Sequence, residues 1–355
     1  MKTDLEQTAR ALVARGKGIL AADESVSTLT KRFDALGIPS TPSTRRDYRE
    51  MLLTTPGLAE FVSGVILYDE TIHQESADGS PLVAVCRRVG IIPGIKVDLG
   101  VKPLAGSPGE RVTEGLDGLR ERLTAYHDLG AQFAKWRAVF GVSDTTPTHA
   151  CIAANAHALA RYATLCQEHD IVPIVEPEVL MDGAHAIERC EEVTGEVLHA
   201  VFTALREQGV SLEGMLLKPN MVVPGIESPR QAPVDQVAEA TLRCLRRHVP
   251  PAVPGVVFLS GGQNDVLATQ HLNAINQAAG SRAWALSFSY GRALQDAALA
   301  TWRGKPANVA EAQHQLYHRA SCNSLAALGT YTDAEESKVR GEVLAGVFSG
   351  GWDDD

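Results

Sequence analysis

The segment EGMLLKPN (213–220) closes an apolar run on a lysine, Lys218. An ammonium in that position is disfavoured by desolvation, so it either snorkels to water or is tuned for chemistry. An amine that attacks a carbonyl must be uncharged, which requires a pKa lowered from ~10.4 toward roughly 7 or 8 by burial and a nearby cation. Lys135, in QFAKWR (132–137), is a candidate for that cation. The competing reading makes Lys218 a strand-end lysine bridged to Glu176 or Glu178. Those two carboxyls, split by Pro177 in IVPIVEPE, have the composition of an acid/base pair in which one moves protons and the other holds geometry. Carboxyls of this kind also pair with neighbouring lysines, and both readings stay open. Asp23, at the end of GILAAD (18–23), is a candidate for chemistry or for a helix N-cap; Ser25, Ser27 and Thr28 compete for the cap.

Anion chemistry has its own candidates. Ser260, Gly261 and Gly262 in SGGQ, and Ser289 with Arg292 in SYGR, put close-approaching backbone and helix N-termini at two successive turns. A lone Gly-Gly is only a turn; two such turns, one carrying Arg292, point to phosphate, with a charge-assisted bond of about 1.5 to 3 kcal/mol from the guanidinium.

These residues need elements to hold them. Short apolar or β-branched runs that end in a polar residue recur at 18–23, 61–69, 91–98, 132–137, 171–177, 213–220, 255–262 and 283–291. Amphipathic stretches with helical spacing, such as 115–130, 148–170 and 265–280, lie between them. Strands alternating with helices imply a parallel sheet, and the eight units predict an α/β fold, a single-domain (β/α)8 TIM barrel over residues 1–345. An open doubly wound sheet competes, but the first βα turn, AADESVST, lacks the dinucleotide glycine fingerprint. One or two helices from Gly291 to Leu328 are expected to close the barrel, and residues 346–355, ending in SGGWDDD, form a flexible acidic tail.

In a barrel of this kind catalytic groups sit at the carboxyl ends of the strands. Asp23, Asp69, Asp98, Lys135 with Arg137, Glu176 with Glu178, Lys218, Ser260 and Ser289 then make one polar rim. Residues two apart on a strand share a face, so Lys135 and Arg137 must point the same way.

Composition narrows the partners. The chain has 355 residues, 45% of them hydrophobic, and a net charge of -10, which argues against nucleic acid because phosphate-backbone binding draws on clustered cations. No run is long enough to cross a bilayer, and the opening MKTDLEQTAR lacks an apolar signal region, so a cytoplasmic location is expected. Six scattered cysteines without a CxxC pair read as reduced, packed thiols. His314 and His318 lie one helical turn apart without the adjacent Glu of a zincin, and read as helix-surface histidines; no metal site and no cofactor is expected.

The segments GKGILAADES, GVILYDET, GIKVD, FAKWR, IVPIVEPE, LLKPNMV, FLSGGQ and FSYGRALQ, in order from about residue 16 to 330, resemble class I fructose-1,6-bisphosphate aldolase. The resemblance implies a metal-independent barrel enzyme, usually a homotetramer, that cleaves fructose 1,6-bisphosphate reversibly to dihydroxyacetone phosphate and glyceraldehyde 3-phosphate. It further implies that Lys218 forms the Schiff base, that Glu176 shuttles protons beside Glu178, and that Asp23 handles the substrate hydroxyl. Lys135 would assist the amine and Arg137 bind substrate phosphate. Ser260, Gly261 and Arg292 would serve one phosphate, with Ser289 on the adjacent strand end, and Ser25 and Arg32 the other end of the sugar.

Three departures stand out. VDLG replaces the family's usual VDKG, so Leu99 supplies no charge to the remote phosphate; Thr28 stands where a serine is common; and the chain ends in SGGWDDD where familiar members end in a tyrosine. Two other functions compete with the resemblance: a barrel whose Lys218 holds pyridoxal phosphate, and a non-catalytic scaffold.

Overall fold

A computed structural model describes residues 2–281 and 283–337. The acidic tail expected at 346–355 lies outside the described residues. Eight parallel strands close into a barrel: β1 (Gly18–Ala22), β2 (Val62–Leu67), β3 (Ile92–Lys96), β4 (Phe133–Phe140), β5 (Val172–Val179), β6 (Leu216–Leu217), β7 (Gly255–Phe258) and β8 (Ala285–Tyr290). Each falls inside its predicted segment apart from β4 and β5, which run on to Phe140 and Val179. The strands read as unbroken apolar runs because both faces are buried, the outer against helices and the inner against each other.

The inner face is filled from the bottom. Ile19, Ile66, Phe133, Val172, Leu216 and Val257 point into the barrel, and the helix Lys2–Leu12 plugs its lower end with Leu5, Ala9 and Leu12. Small residues make room for the large ones: a Cβ on Gly94 would sit 2.4 Å from the Phe133 ring, and one on Gly18 would sit 2.5 Å from Phe288. Above this layer the inner face turns polar, which is where the site begins.

β6 is far shorter than the predicted 213–220. A 3-10 turn at Leu212–Gly214 precedes it, and Pro219 has no N–H to extend the ladder. The carbonyl of Val175 still accepts from Lys218 N at 2.8 Å, so the lysine keeps the strand direction. A hairpin of Val101–Pro103 with Arg111–Thr113, inserted after β3, carries too few residues for a period to show and was not expected.

The predicted helices form at Leu119–Leu129, His149–Glu168 and Asp265–Ala278. Their starts carry side-chain caps where the sequence offers them: Thr148 accepts from Cys151 N at 3.2 Å and Asn264 from Leu267 N at 2.8 Å. After β8 two helices, Arg292–Trp302 and Val309–Leu328, complete the outer ring. The expectation of surface histidines fails at His318, which is buried because Val309–Leu328 packs against Asp265–Ala278 on one side and Arg292–Trp302 on the other. All six cysteines are free and buried, and burial pushes the Cys86 thiol up to about 12.

Candidate active site

The carboxyl ends of the strands open into a cavity of about 860 Å³. All twelve site residues expected from the sequence line it: Asp23, Ser25 and Arg32 after β1; Lys135 and Arg137 on β4; Glu176 and Glu178 on β5; Lys218 after β6; Ser260 and Gly261 after β7; Ser289 and Arg292 at the end of β8. The two-residue period explains the middle of this set. Lys135 and Arg137 share the inner face of β4, and Trp136 between them turns outward to stack near Tyr162, ring centroids 5.6 Å apart.

Charge alternates across the floor. Lys218 Nζ lies 3.2 Å from Glu176 Oε1, and Lys135 Nζ lies 3.3 Å from Oε2 of the same carboxylate. Lys135 also reaches Asp23 Oδ2 at 2.8 Å and Asp98 Oδ2 at 3.9 Å. Burial alone would lower the pKa of Lys135, but Asp23, Glu176 and Asp98 outweigh it and hold the ammonium above the ordinary lysine range. Burial likewise favours a neutral Asp23; Lys135, Lys218 and Lys96 overcome it, and the carboxyl titrates below its ordinary value. Asp23 is therefore a carboxylate facing the cavity. It is not a helix cap: Ser25 takes that position on Val26–Asp34, accepting from Thr28 N at 3.2 Å.

The other residues divide between held and open groups. Arg137 Nε donates to Glu178 Oε2 at 2.5 Å, and burial, which would lower the pKa of its guanidinium, is outweighed mainly by Glu178. Arg32 is braced by Glu24 and by Asp296 at 2.8 Å, so its charge is already matched. At the β7 turn Gly261 adopts φ +59°, a conformation suited to glycine, and its carbonyl accepts from Arg292. Gly262 N donates to the Met181 thioether at 3.0 Å, which ties the β5 loop to the β7 loop. Ser289 is 1% exposed, and its Oγ faces the cavity without a hydrogen-bond partner among the described residues. Such a buried hydroxyl is completed by a ligand or a water.

Sequence reasoning missed several neighbours. Lys96 holds Asp98 Oδ1 at 2.7 Å, Glu24 braces Arg32, and Lys31 lies exposed at the rim. Lys96 had a signal, since it sits two positions before Asp98 in GIKVD and so shares its face. Leu99, 63% exposed, lines the cavity with hydrocarbon. Among the described residues no helix is long and apolar enough to cross a membrane.

A buried lysine pair divided by one carboxylate, with a second carboxylate opposite and a glycine turn capped by arginine, suits carbonyl chemistry on an anionic substrate. Comparison with known proteins agrees. The family model "Fructose-bisphosphate aldolase class-I" matches residues 4–346. A probable fructose-bisphosphate aldolase class 1 of Xanthomonas campestris pv. campestris is 57% identical over 328 residues, 92% of this chain and 98% of that protein. The fructose-bisphosphate aldolase of Dictyostelium discoideum is 52% identical over 96% of both chains. A fructose-bisphosphate aldolase from Plasmodium falciparum, crystallised with TRAP and a small-molecule inhibitor, superposes with a TM-score of 0.92 at 51% identity, covering 93% of this chain and 95% of that one. The chain belongs to the class I fructose-bisphosphate aldolase family.

Proposed function

We propose that this aldolase cleaves fructose 1,6-bisphosphate through an imine on Lys218, with residues 1–345 acting as one catalytic domain. The observation that carries the reading is the single Glu176 carboxylate set between Lys218 and Lys135, 3.2 and 3.3 Å away. Lys135 is locked in its charged form by three carboxylates. Lys218 has Glu176 as its close ion-pair partner among the described residues, so it can pass its proton there and present a free electron pair.

The steps follow from these positions. The Lys218 nitrogen adds to the ketose carbonyl. Glu176 then protonates the carbinolamine hydroxyl, which leaves as water, and a protonated imine remains. Asp23 takes the proton from the hydroxyl on the far side of the bond to be broken. That bond's electrons flow into the iminium nitrogen, releasing glyceraldehyde 3-phosphate and leaving an enamine. Protonation and hydrolysis of the enamine free dihydroxyacetone phosphate and restore the amine. The imine supplies the electron sink, and the Lys135 ammonium meets the same Glu176 carboxylate as the amine. Glu178 holds Arg137 in place for a substrate phosphate, while Ser260, Gly261, Ser289 and Arg292 surround the other.

Dihydroxyacetone phosphate and sodium borohydride should attach a reduced three-carbon adduct to the Lys218 peptide, read by peptide mass spectrometry. Lys218→Ala should lose both label and turnover, and a label on another peptide would refute the assignment. Glu176→Gln should lower kcat roughly a hundredfold to ten-thousandfold. A cytoplasmic location accompanies this reading, supported by relatives such as the cytosolic aldolase 6 of Arabidopsis thaliana, 52% identical over 93% of this chain, and a homotetramer is proposed with it from the family resemblance. Light scattering on the full chain tests the tetramer.

A further inference from the structure

One cluster of metal-ligating side chains lies outside the catalytic cavity. His318 and Cys322 stand one turn apart on the helix Val309–Leu328, so their side chains project from the same face. Both are buried, at 8% and 2% exposure. Glu336, from the short helix Asp333–Ser337, closes over them. His318 Nε2 lies 3.5 Å from Cys322 Sγ and 3.7 Å from Glu336 Oε2, and the three ligand atoms all fall within 4.8 Å of one another.

These spacings have a chemical meaning. A tetrahedral ion with metal–nitrogen and metal–oxygen bonds of ~2.1 Å and a metal–sulfur bond of ~2.3 Å separates its nitrogen and sulfur by about 3.6 Å, and its nitrogen and oxygen by about 3.4 Å. The cluster already holds two edges of that tetrahedron to within a few tenths of an ångström. We propose that His318, Cys322 and Glu336 form a binding site for a borderline-soft divalent cation of the zinc or cobalt type, with the fourth position left to water. The mixed imidazole, thiolate and carboxylate set disfavours magnesium and calcium, which take oxygen ligands.

The surrounding groups accommodate the ion. Binding replaces the Cys322 S–H bond with a metal–sulfur bond and releases the proton to solvent. Arg319 Nη1 lies 2.5 Å from Glu336 Oε2, and the Tyr331 hydroxyl donates to Oε1 at 2.6 Å, so the carboxylate is oriented before any metal arrives. Thiolate, carboxylate, guanidinium and a divalent ion sum to a single positive charge, close to balance.

The site serves structure. None of its three ligands lines the catalytic cavity. Arg319 also donates to Thr269 Oγ1 at 2.7 Å, on the helix that follows the β7 turn. A bound ion would clamp Asp333–Ser337 onto Val309–Leu328, and through Arg319 onto Asp265–Ala278.

Cobalt titration of the full chain, stripped with EDTA and dialysed, tests this. One equivalent should produce a near-ultraviolet thiolate-to-cobalt band and the visible bands of tetrahedral cobalt. Cys322→Ser should abolish the thiolate band, Glu336→Gln should weaken cobalt binding at least tenfold, and Cys86→Ser should leave both unchanged. Zinc should raise the Tm of the stripped protein and leave that of Cys322→Ser unmoved, while His318→Gln provides a second variant if the serine folds poorly. No thiolate band in the wild type, or an equal band in Cys322→Ser, overturns the proposal. Initial rates of aldol cleavage should be the same in EDTA, so this result is independent of the Lys218 assignment.

Discussion

Lys135 and Lys218 carry the same side chain, yet their surroundings assign them different work. Lys135 touches three carboxylates and stays charged, whereas Lys218 shares one with it. The pairing also stabilises the fold with a definite sign. Asp23 titrates below its ordinary value, so its contribution is present above the usual carboxylate range and is lost as pH falls through the lowered folded value. In Lys135→Met burial prevails, the Asp23 carboxyl should rise, and the acid limb of the kcat profile should move to higher pH; an unmoved limb rules out Asp23 as the base. Leu99 sets a second residue-scale expectation. It offers no charge at the cavity wall, so Leu99→Lys should lower KM for fructose 1,6-bisphosphate relative to fructose 1-phosphate, by about tenfold to a hundredfold if one full charge-assisted bond forms. Equal ratios in the two proteins would show that the wall does not contact the remote phosphate.

The elements contribute by fixing loops against each other. β5 and β7 are not neighbours, yet their loops meet where Met181 accepts from Gly262 N, and a Cβ on Gly262 would sit 2.8 Å from that sulfur. The thioether is a weak acceptor, enough to order the turn and easily yielded to an anion. Met181→Leu keeps the volume and removes the acceptor, so KM should rise about two- to tenfold with kcat nearly constant. Steady-state kinetics separates the two parameters; a fall in kcat alone would place Met181 in the chemistry instead. The strand-and-helix alternation was legible because strands buried on both faces write continuous apolar runs. The hairpin at 101–113 was not, since three residues per strand are too few to show a period.

At the scale of the whole molecule, the barrel is closed below by Lys2–Leu12 and open above. Leu12 is fully buried against the lower ring, so Leu12→Ala should cost about 2 to 5 kcal/mol in urea unfolding, while the cavity chemistry in dilute buffer is unchanged. A stability within error of wild type would mean that the plug does not support the barrel. The sequence by itself determined the fold class and the polar groups at the strand ends, because residue type and two-residue spacing are local properties. It left open whether Asp23 capped a helix and which lysines Glu176 met, and it placed His318 on a helix surface. Only tertiary structure decided these, because each answer depends on distances between side chains remote in the chain: Ser25 taking the cap, one carboxylate meeting two lysines from different strands, and two flanking helices covering a face that the sequence alone leaves exposed.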